Sequence, residues 1–410
     1  MDFKEYAIGE FDTEEQKKFR KEIGEWLDKN ISPELVQETK KLRVTGNIMG
    51  AAELISKLGA RGWLVPEWPK EYGGAGLPAG HRSIIAEEIG TRLTTVLPGF
   101  LGSLLGGVAG PAIMRHGTEE QKKEWLPKIA AGAVFAIGYT EPNAGTDLAG
   151  LQLSAVSDGD DYIVNGQKMF STGAHLAHYH WLAIRTNPER PKHKGISILI
   201  ADLKSPGVTV TQLTTIGGEI TNEVFYDNVR VPKKNRIGPE GEAWSVIRDA
   251  LTVERGDLGT FPWAKILVNE LIQYTKETKS NGKPLSEDPL VRQSLAQLAT
   301  EVNILRLFNR RVGWMVEKGI SPDWAAAMAK IWDSELCQRV ANQGMNIMGL
   351  YGQLGSGSKY VQLNGHIEQS YRAMVVRSFG GGSNNMLRSL IATRGMGLPR
   401  EPQLAMPTKK

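Results

Sequence analysis

Cysteine is almost absent from this chain of 410 residues: Cys337 stands alone, so neither an internal disulfide framework nor a cysteine-cluster metal site can be built. A reducing cytoplasm is the expected compartment. Long apolar runs are missing as well. The N-terminal stretch from Met1 to Leu27 is charged and has no apolar leader segment, and the longest apolar run, near Pro98 to Met114, is broken by glycines and Pro111. Neither offers the roughly 20 unbroken apolar residues of a membrane span. Charge of one sign is lacking too. The 49 basic and 45 acidic side chains are mixed along the chain and leave only +4, which argues against a nucleic-acid groove or a polybasic membrane patch. No internal repeat is found. What is present is a hydrophobic share of 41%, enough to bury a large core across two or three domains.

Periodicity divides the chain. Phe19, Ile23, Trp26 and Leu27 recur at helical spacing between charges over Thr13 to Lys29, as in a helix with one buried face. Helical spacing returns at Ala51 to Leu58, His81 to Ile89, Leu97 to Ile113 and Glu119 to Ile129, with glycine and proline punctuation at 62–66 and 72–76. From about Gly132 the pattern changes to short apolar or alternating segments at 134–138, 153–157, 162–164, 180–184, 196–200 and 224–226. Asp158-Gly159, Asn165-Gly166 and Gly217-Gly218 fall between them as turns, which together predicts a small antiparallel sheet. Pro232 and Pro239 close it. Long helices are expected again at about 243–278, 288–318, 322–347 and 360–393. The expected domains are therefore 1–131, helical; 132–242, β; and 243–400, a helical bundle, with 401–410 as an irregular tail.

Several segments carry a family resemblance. Ile137 through Asp147, read Ile-Gly-Tyr-Thr-Glu-Pro-Asn-Ala-Gly-Thr-Asp, resembles the first signature of the acyl-CoA dehydrogenases, and Asn165 through Thr172 resembles their second flavin-contacting strand. Matches continue in order at 223–232, at Glu254-Arg255, at Tyr371-Arg372 and from Gly380 through Arg400. The resemblance implies the acyl-CoA dehydrogenase fold: an α-helical N-terminal domain, a central antiparallel β domain and a C-terminal four-helix bundle. It implies FAD, held between the β domain and the bundles of a subunit and its neighbour. The implied reaction removes the α hydrogen of an acyl-CoA thioester as a proton and the β hydrogen as hydride to the flavin, with electrons passed to an electron-transfer flavoprotein or equivalent acceptor.

The same resemblance assigns candidate residues. Ile137, Thr140, Gly145, Thr146, Phe170 and Thr172 occupy flavin-contacting positions, and hydroxyls, exposed amides and close glycine backbone suit the polar edge of an isoalloxazine and a pyrophosphate. Phe170 and Thr172, two apart on a strand, are expected on one face. Members take the catalytic carboxylate from one of two places. In the C-terminal loop Gly381 occupies that place and has no proton acceptor on a side chain. The other place, a bundle helix just before an arginine, holds Glu254, so Glu254 is the expected base, with Arg255 beside it and Asp257 as a substitute one turn later. Phe379, Gly381 and Ser383 then line the thioester, the Gly381 amide donating to the developing enolate oxygen.

Some of the family's features are missing. Where a neighbouring subunit normally offers an arginine and a phenylalanine to the adenine half of FAD, this chain has Thr278 and Asn281; where a glutamine and a glycine are usual, it has Asn346 and Leu350. A charged fork for phosphate is therefore lacking. The expectation is a paralogous partner chain in an α2β2 complex, as in bacterial dehydrogenases for CoA-linked steroid side chains, whose base-bearing subunit this chain resembles. The alternative is a homotetramer in which Lys276 or Lys279 meets the phosphates. The substrate is expected to be bulky or branched, and 97–107 is a candidate acyl-pocket lining. A flavin monooxygenase, a nitroalkane oxidase and a non-catalytic subunit are the competing functions on the same fold; Glu254 favours dehydrogenation.

Overall fold

The computed structural model describes residues 12–36, 51–78, 80–93, 107–256 and 261–400. The expected tail, Asp257 and most of the candidate pocket lining at 97–107 lie outside them. The chain opens with helix α1, Glu14–Asn30, started by a reciprocal capping box between Thr13 and Gln16. Its buried stripe Phe19, Ile23 and Leu27 packs with α2, Ala52–Ala60, and α3, Gly80–Leu93, around Leu54, Leu58, Ile84 and Ile89. Two further helices follow, α4, Ala109–His116, and α5, Glu119–Ala130, the latter capped by Thr118 and Gln121 in the same way.

Eight strands then form one sheet: β1 Phe135–Gly138, β2 Ser154–Asp158, β3 Asp161–Lys168, β4 Tyr179–Arg185, β5 Ile196–Asp202, β6 Val208–Thr214, β7 Ile220–Pro232 and β8 Arg236–Ile237. The spatial order is β6-β7-β3-β2-β4-β5-β8, with β1 added on β4. The expectation of a wholly antiparallel sheet is corrected here. β1 pairs with β4 in parallel, Ile137 opposite Trp181, so the sheet is mixed. Both faces of β4 and β5 are covered. Trp181, Ala183, Ile198 and Ile200 face the helices, while Leu182, Ile184, Leu199 and Ala201 fill the core on the other face. Two-sided burial is why these strands read as continuous apolar runs rather than alternating ones.

Asp158-Gly159 does form a hairpin turn, with Gly159 at φ 57, and Gly217-Gly218 lies in the turn joining β6 to β7. Asn165-Gly166 does not turn. It lies inside β3, where the pairing with β7 shifts register between Val164 and Gly166. Asn165 Oδ1 accepts from the Asn228 amide at 2.8 Å, so the side chain that would cap a turn supports a bulge instead.

The rest is helical: α6 Trp244–Gly256, α7 Phe261–Glu277, α8 Pro289–Glu317, α9 Asp323–Met348, α10 His366–Ala373 and α11 Asn384–Leu390. Helices α7 to α10 share a core that includes Leu267, Leu271, Leu298, Leu305, Leu336, Val340 and Ile367. The helix expected over 243–278 is two helices, and the one expected over 360–393 is interrupted between α10 and α11 by the glycine loop. Between α7 and α8, Lys279–Ser280 and Lys283–Pro284 form a small hairpin around Asn281 and Gly282, both at positive φ. Among the described residues, no helix is long and apolar enough to cross a membrane.

Candidate functional site

The segment after β1 is pinned from inside. Glu141 is buried, and its carboxylate accepts from the backbone amides of Gln152 at 2.7 Å and Leu153 at 2.9 Å. Lys168, the last residue of β3, has no exposed surface; its ammonium donates to Glu141 Oε1 at 2.8 Å and to the Tyr139 carbonyl at 3.0 Å. Burial lowers the Lys168 pKa to about 8, against the pull of Glu141 in the other direction. A buried pair of this kind holds geometry more than it adds net stability. With both ends fixed, Gly145, Thr146 and Asp147 stand exposed beyond it. A Cβ placed on Gly145 would meet nothing within 4 Å, so no internal contact of the chain calls for glycine there.

The second segment follows β3 directly. The strand ends at Lys168, and Phe170 adopts φ 58 in the left-handed region, which corrects the expectation that Phe170 and Thr172 share a strand face. A left-handed aromatic residue costs on the order of 1–3 kcal/mol and persists only where its surroundings impose it. Here they do. The Ser171 amide donates to the Asn222 carbonyl at 2.9 Å and Asn222 Nδ2 donates to the Ser171 carbonyl at 2.8 Å, while Thr172 Oγ1 meets Thr221 Oγ1 at 3.2 Å. Phe170 remains 56% exposed and Thr172 is exposed. Behind them His180 is fully buried, bonded to Ser171 Oγ at 3.1 Å and to the Tyr226 hydroxyl at 2.6 Å. Burial, helped by the nearby Lys168 charge, lowers the His180 pKa to about 3.

The third segment is the loop 379–383. Gly381 and Gly382 have φ 67 and 97, a conformation that excludes most side chains. Buried Lys330 on α9 fixes this loop by donating to the Gly382 carbonyl at 2.8 Å and to Asn384 Oδ1 at 2.9 Å. Ser383, expected to touch substrate, uses its hydroxyl to cap α11 by accepting from the Met386 amide at 3.4 Å. Phe379 is 59% exposed. The β6–β7 turn packs against the helical segment leading to this loop, since a Cβ on Gly217 would lie 2.7 Å from the Ala373 Cα. Arg372 donates to the Ile216 carbonyl in the same turn.

Glu254 and Arg255 lie in the last turn of α6, and their side chains fall outside what the structure describes. The α6 helix itself is tied to α4 through Asp249, whose Oδ2 meets His116 Nε2 at 3.0 Å. Ile137 is half-buried against the core between helices and sheet. Thr140 is half-buried, and its carbonyl accepts from the Met169 amide at 2.8 Å, joining the first two segments. Of the departures from the family pattern, Asn281 sits at the tip of the small hairpin, and Leu350, 81% exposed, follows the end of α9.

These residues suit a flat conjugated ring with a polar rim. They provide open space over Gly145, an exposed aromatic face at Phe170, and hydroxyls at Thr146 and Thr172. Comparison with known proteins gives the family. The acyl-CoA dehydrogenase N-terminal, middle and C-terminal domains match residues 13–133, 136–229 and 241–396. The chain belongs to the acyl-CoA dehydrogenase family. Its fold is the acyl-CoA dehydrogenase fold, and it is an oxidoreductase acting on the CH–CH bond of an acyl-CoA-like substrate. It is 39% identical to the acyl-CoA dehydrogenase FadE29 of Mycobacterium tuberculosis (strain ATCC 25618 / H37Rv), over 95% of this chain and 99% of that protein. Among solved structures it resembles the Tcur3481-Tcur3483 steroid ACAD, with TM-score 0.84 and 34% identity, covering 95% of this chain and 99% of that one. It also resembles the ChsE4-ChsE5 complex from Mycobacterium tuberculosis, with TM-score 0.83 and 36% identity, covering 95% of this chain and 98% of that one.

Sequence reasoning missed the residues that hold these candidate-site segments from behind: Lys168, Ser171, His180 and Asn222. A signal for Lys168 was available, because it occupies the same inward register of β3 as Tyr162 and Val164. A lysine on a buried face needs a charged partner, and none is adjacent in the sequence.

Proposed function

We propose that this chain binds FAD through Ile137, Thr140, Gly145, Thr146, Phe170 and Thr172 and dehydrogenates a bulky or branched acyl-CoA thioester, such as a CoA-linked steroid side chain. The observation that carries the reading is the left-handed Phe170, presented beside Thr172 by a buried hydrogen-bond network at one of the family's flavin-contacting positions. FAD, when bound, supplies the two-electron acceptor. Glu254 takes the α proton. Gly381 has no side chain with which to do so, and its amide donates to the thioester oxygen as negative charge develops there. The left-handed backbone and the Lys330 anchor on the next carbonyl support that role by fixing the loop. Phe379 and Arg255 contact the thioester end of the substrate.

A steroid-like acyl group draws support from the likeness to the Tcur3481-Tcur3483 steroid ACAD. A paralogous partner in an α2β2 complex draws support from the ChsE4-ChsE5 complex and from Thr278, Asn281, Asn346 and Leu350, which leave the trans side of the cofactor site without arginine or close glycine. An electron-transfer flavoprotein is the expected acceptor, and the cytoplasm the expected compartment. The test is anaerobic mixing of the FAD-loaded protein with a steroid side-chain CoA thioester and, separately, with a straight-chain one. Flavin bleaching by the first at a rate at least tenfold above the second is expected; no bleaching by any acyl-CoA would overturn the reading.

A further inference from the structure

We propose that His180 is a positioning residue for the redox step: acting through Ser171, it fixes the segment that presents Phe170 and Thr172 and so sets where those two side chains meet the flavin. The inference rests on the proposed function for the identity of that ring, and on the geometry of the chain for everything else.

Ser171 is the residue between the two ring-facing side chains, and it points inward while they point out. It is held at three atoms. Its amide and carbonyl are both engaged by Asn222 on β7, and its hydroxyl meets His180 Nε2. Asn222 is itself fixed, its Oδ1 accepting from His175 Nδ1 at 3.1 Å. The proton order within the His180 chain follows from what each atom can do. The Tyr226 hydroxyl is buried and has no other hydrogen-bond partner among the described residues. Its O–H must therefore donate to His180 Nδ1, which leaves the proton on Nε2 to donate to Ser171 Oγ. A ring held neutral by burial keeps this order across the working pH range.

The other face of the ring is fixed by backbone. A Cβ on Gly138, at the end of β1, would lie 2.5 Å from His180 Nε2 and 2.7 Å from its Cε1. No side chain fits there without displacing the imidazole. The ring is thus clamped between β1 and β7, with the Ile137 backbone as a further polar neighbour, and its Nε2 meets the hydroxyl of the residue that follows the left-handed Phe170. A histidine that merely filled the core would have no reason to bond at this point of the chain.

The experiment compares Ser171→Ala, His180→Ala, His180→Gln and Gly138→Ala with the wild type. The readouts are deuterium exchange at the Ser171 and Thr172 amides in FAD-free protein and, in the protein loaded with FAD together with its paralogous partner where that is needed for loading, the visible spectrum of the bound flavin and single-turnover flavin reduction. Ser171→Ala should raise exchange at these amides and slow reduction, each on the order of tenfold, as expected for loss of one buried hydrogen bond. The acyl-CoA concentration for half-maximal rate should hardly change. His180→Gln, which retains a donor near the place of Nε2, should recover most of the loss, and Gly138→Ala should reproduce it without removing any hydrogen-bonding atom. Should His180→Ala fail to fold, Ser171→Ala and Gly138→Ala decide the matter. Unchanged exchange in Ser171→Ala overturns the proposal, as does faster exchange with an unaltered flavin spectrum and reduction rate. If the wild type binds FAD but no acyl-CoA reduces it, the proposed function fails, while exchange and flavin spectrum still decide the role of His180.

Discussion

Lys168 Nζ lies 2.8 Å from Glu141 Oε1 with both residues buried, so a charge on β3 and a charge just after β1 are locked together across 27 residues of sequence. The pair sits under the segment that carries Gly145 and Thr146. Removing one partner leaves the other as an uncompensated buried charge. Lys168→Met should therefore destabilise the protein by about 3–5 kcal/mol. The double variant Lys168→Met with Glu141→Gln should cost less than the sum of the two single changes. Urea denaturation of the four proteins in a double-mutant cycle measures the coupling, and additive losses would show that the pair is not coupled.

Glu254→Gln should retain FAD and lose flavin reduction by ~10²–10⁴-fold, the usual contribution of a positioned base. Anaerobic stopped-flow bleaching is the measurement, and near wild-type bleaching would remove Glu254 from the mechanism. A further drop only when Asp257 is also replaced would identify the later carboxylate as a substitute base.

Partnership can be read from cofactor content. Expressed alone, the chain should carry little FAD; co-expressed with a paralogous acyl-CoA dehydrogenase subunit, it should form an α2β2 complex with about one flavin per pair of unlike chains. The reason is that buried phosphate charge without donors is costly by several kcal/mol or more, and Thr278 and Asn281 offer no cation. Native mass spectrometry with flavin absorbance tests this, and a homotetramer holding four tightly bound FAD with full turnover would exclude it.

His180 also makes an acid-stability prediction. Its folded pKa of about 3 lies below the ordinary value of 6.5, so between these limits the unfolded chain binds a proton that the folded protein refuses. This contribution to stability is complete above about pH 6.5, declines as pH falls, by up to about 1.4 kcal/mol per pH unit, and is gone below about 3. The urea midpoint should fall between pH 7 and pH 4.5 by more in the wild type than in His180→Gln. Equal slopes would show that His180 is not buried as a neutral ring.

The helices and the doubly buried strands β4 and β5 were legible because apolar spacing reports burial directly. Strand β6 was not: Val208 and Val210 alternate with exposed Thr209 and Thr211, but the period breaks at Gln212 and the inward residues are only half-buried, so the apolar signal is short and weak. The Asn165-Gly166 turn was misread because the same residues that close a hairpin also suit a bulge, and only the pairing partner Asn228 decides between them. Phe170 was misplaced for a related reason. Nothing local announces a left-handed phenylalanine; the contacts that hold this segment come from Asn222, 51 residues from Ser171, and from His180, nine residues on and brought back against Ser171 by the fold of the segment between them. The outward side chains of the candidate site could thus be named from motif resemblance, whereas the inward polar ones depend on tertiary partners.

The β6–β7 turn, seated on Ala373 and held by Arg372, joins groups separated by 156 residues in the sequence. Bringing such remote segments together requires closing a large loop before any contact stabilises it, which makes long-range pairings slow to form. Assembly of the turn against α10 should therefore come late in folding, after the sheet and the bundle each have their own core. Until that moment the surface of Ala373 that Gly217 covers faces water. Transiently exposed apolar surface of this kind makes a folding intermediate prone to aggregate, and a chaperone or partner subunit that reached this seam first would affect how much of the protein is recovered.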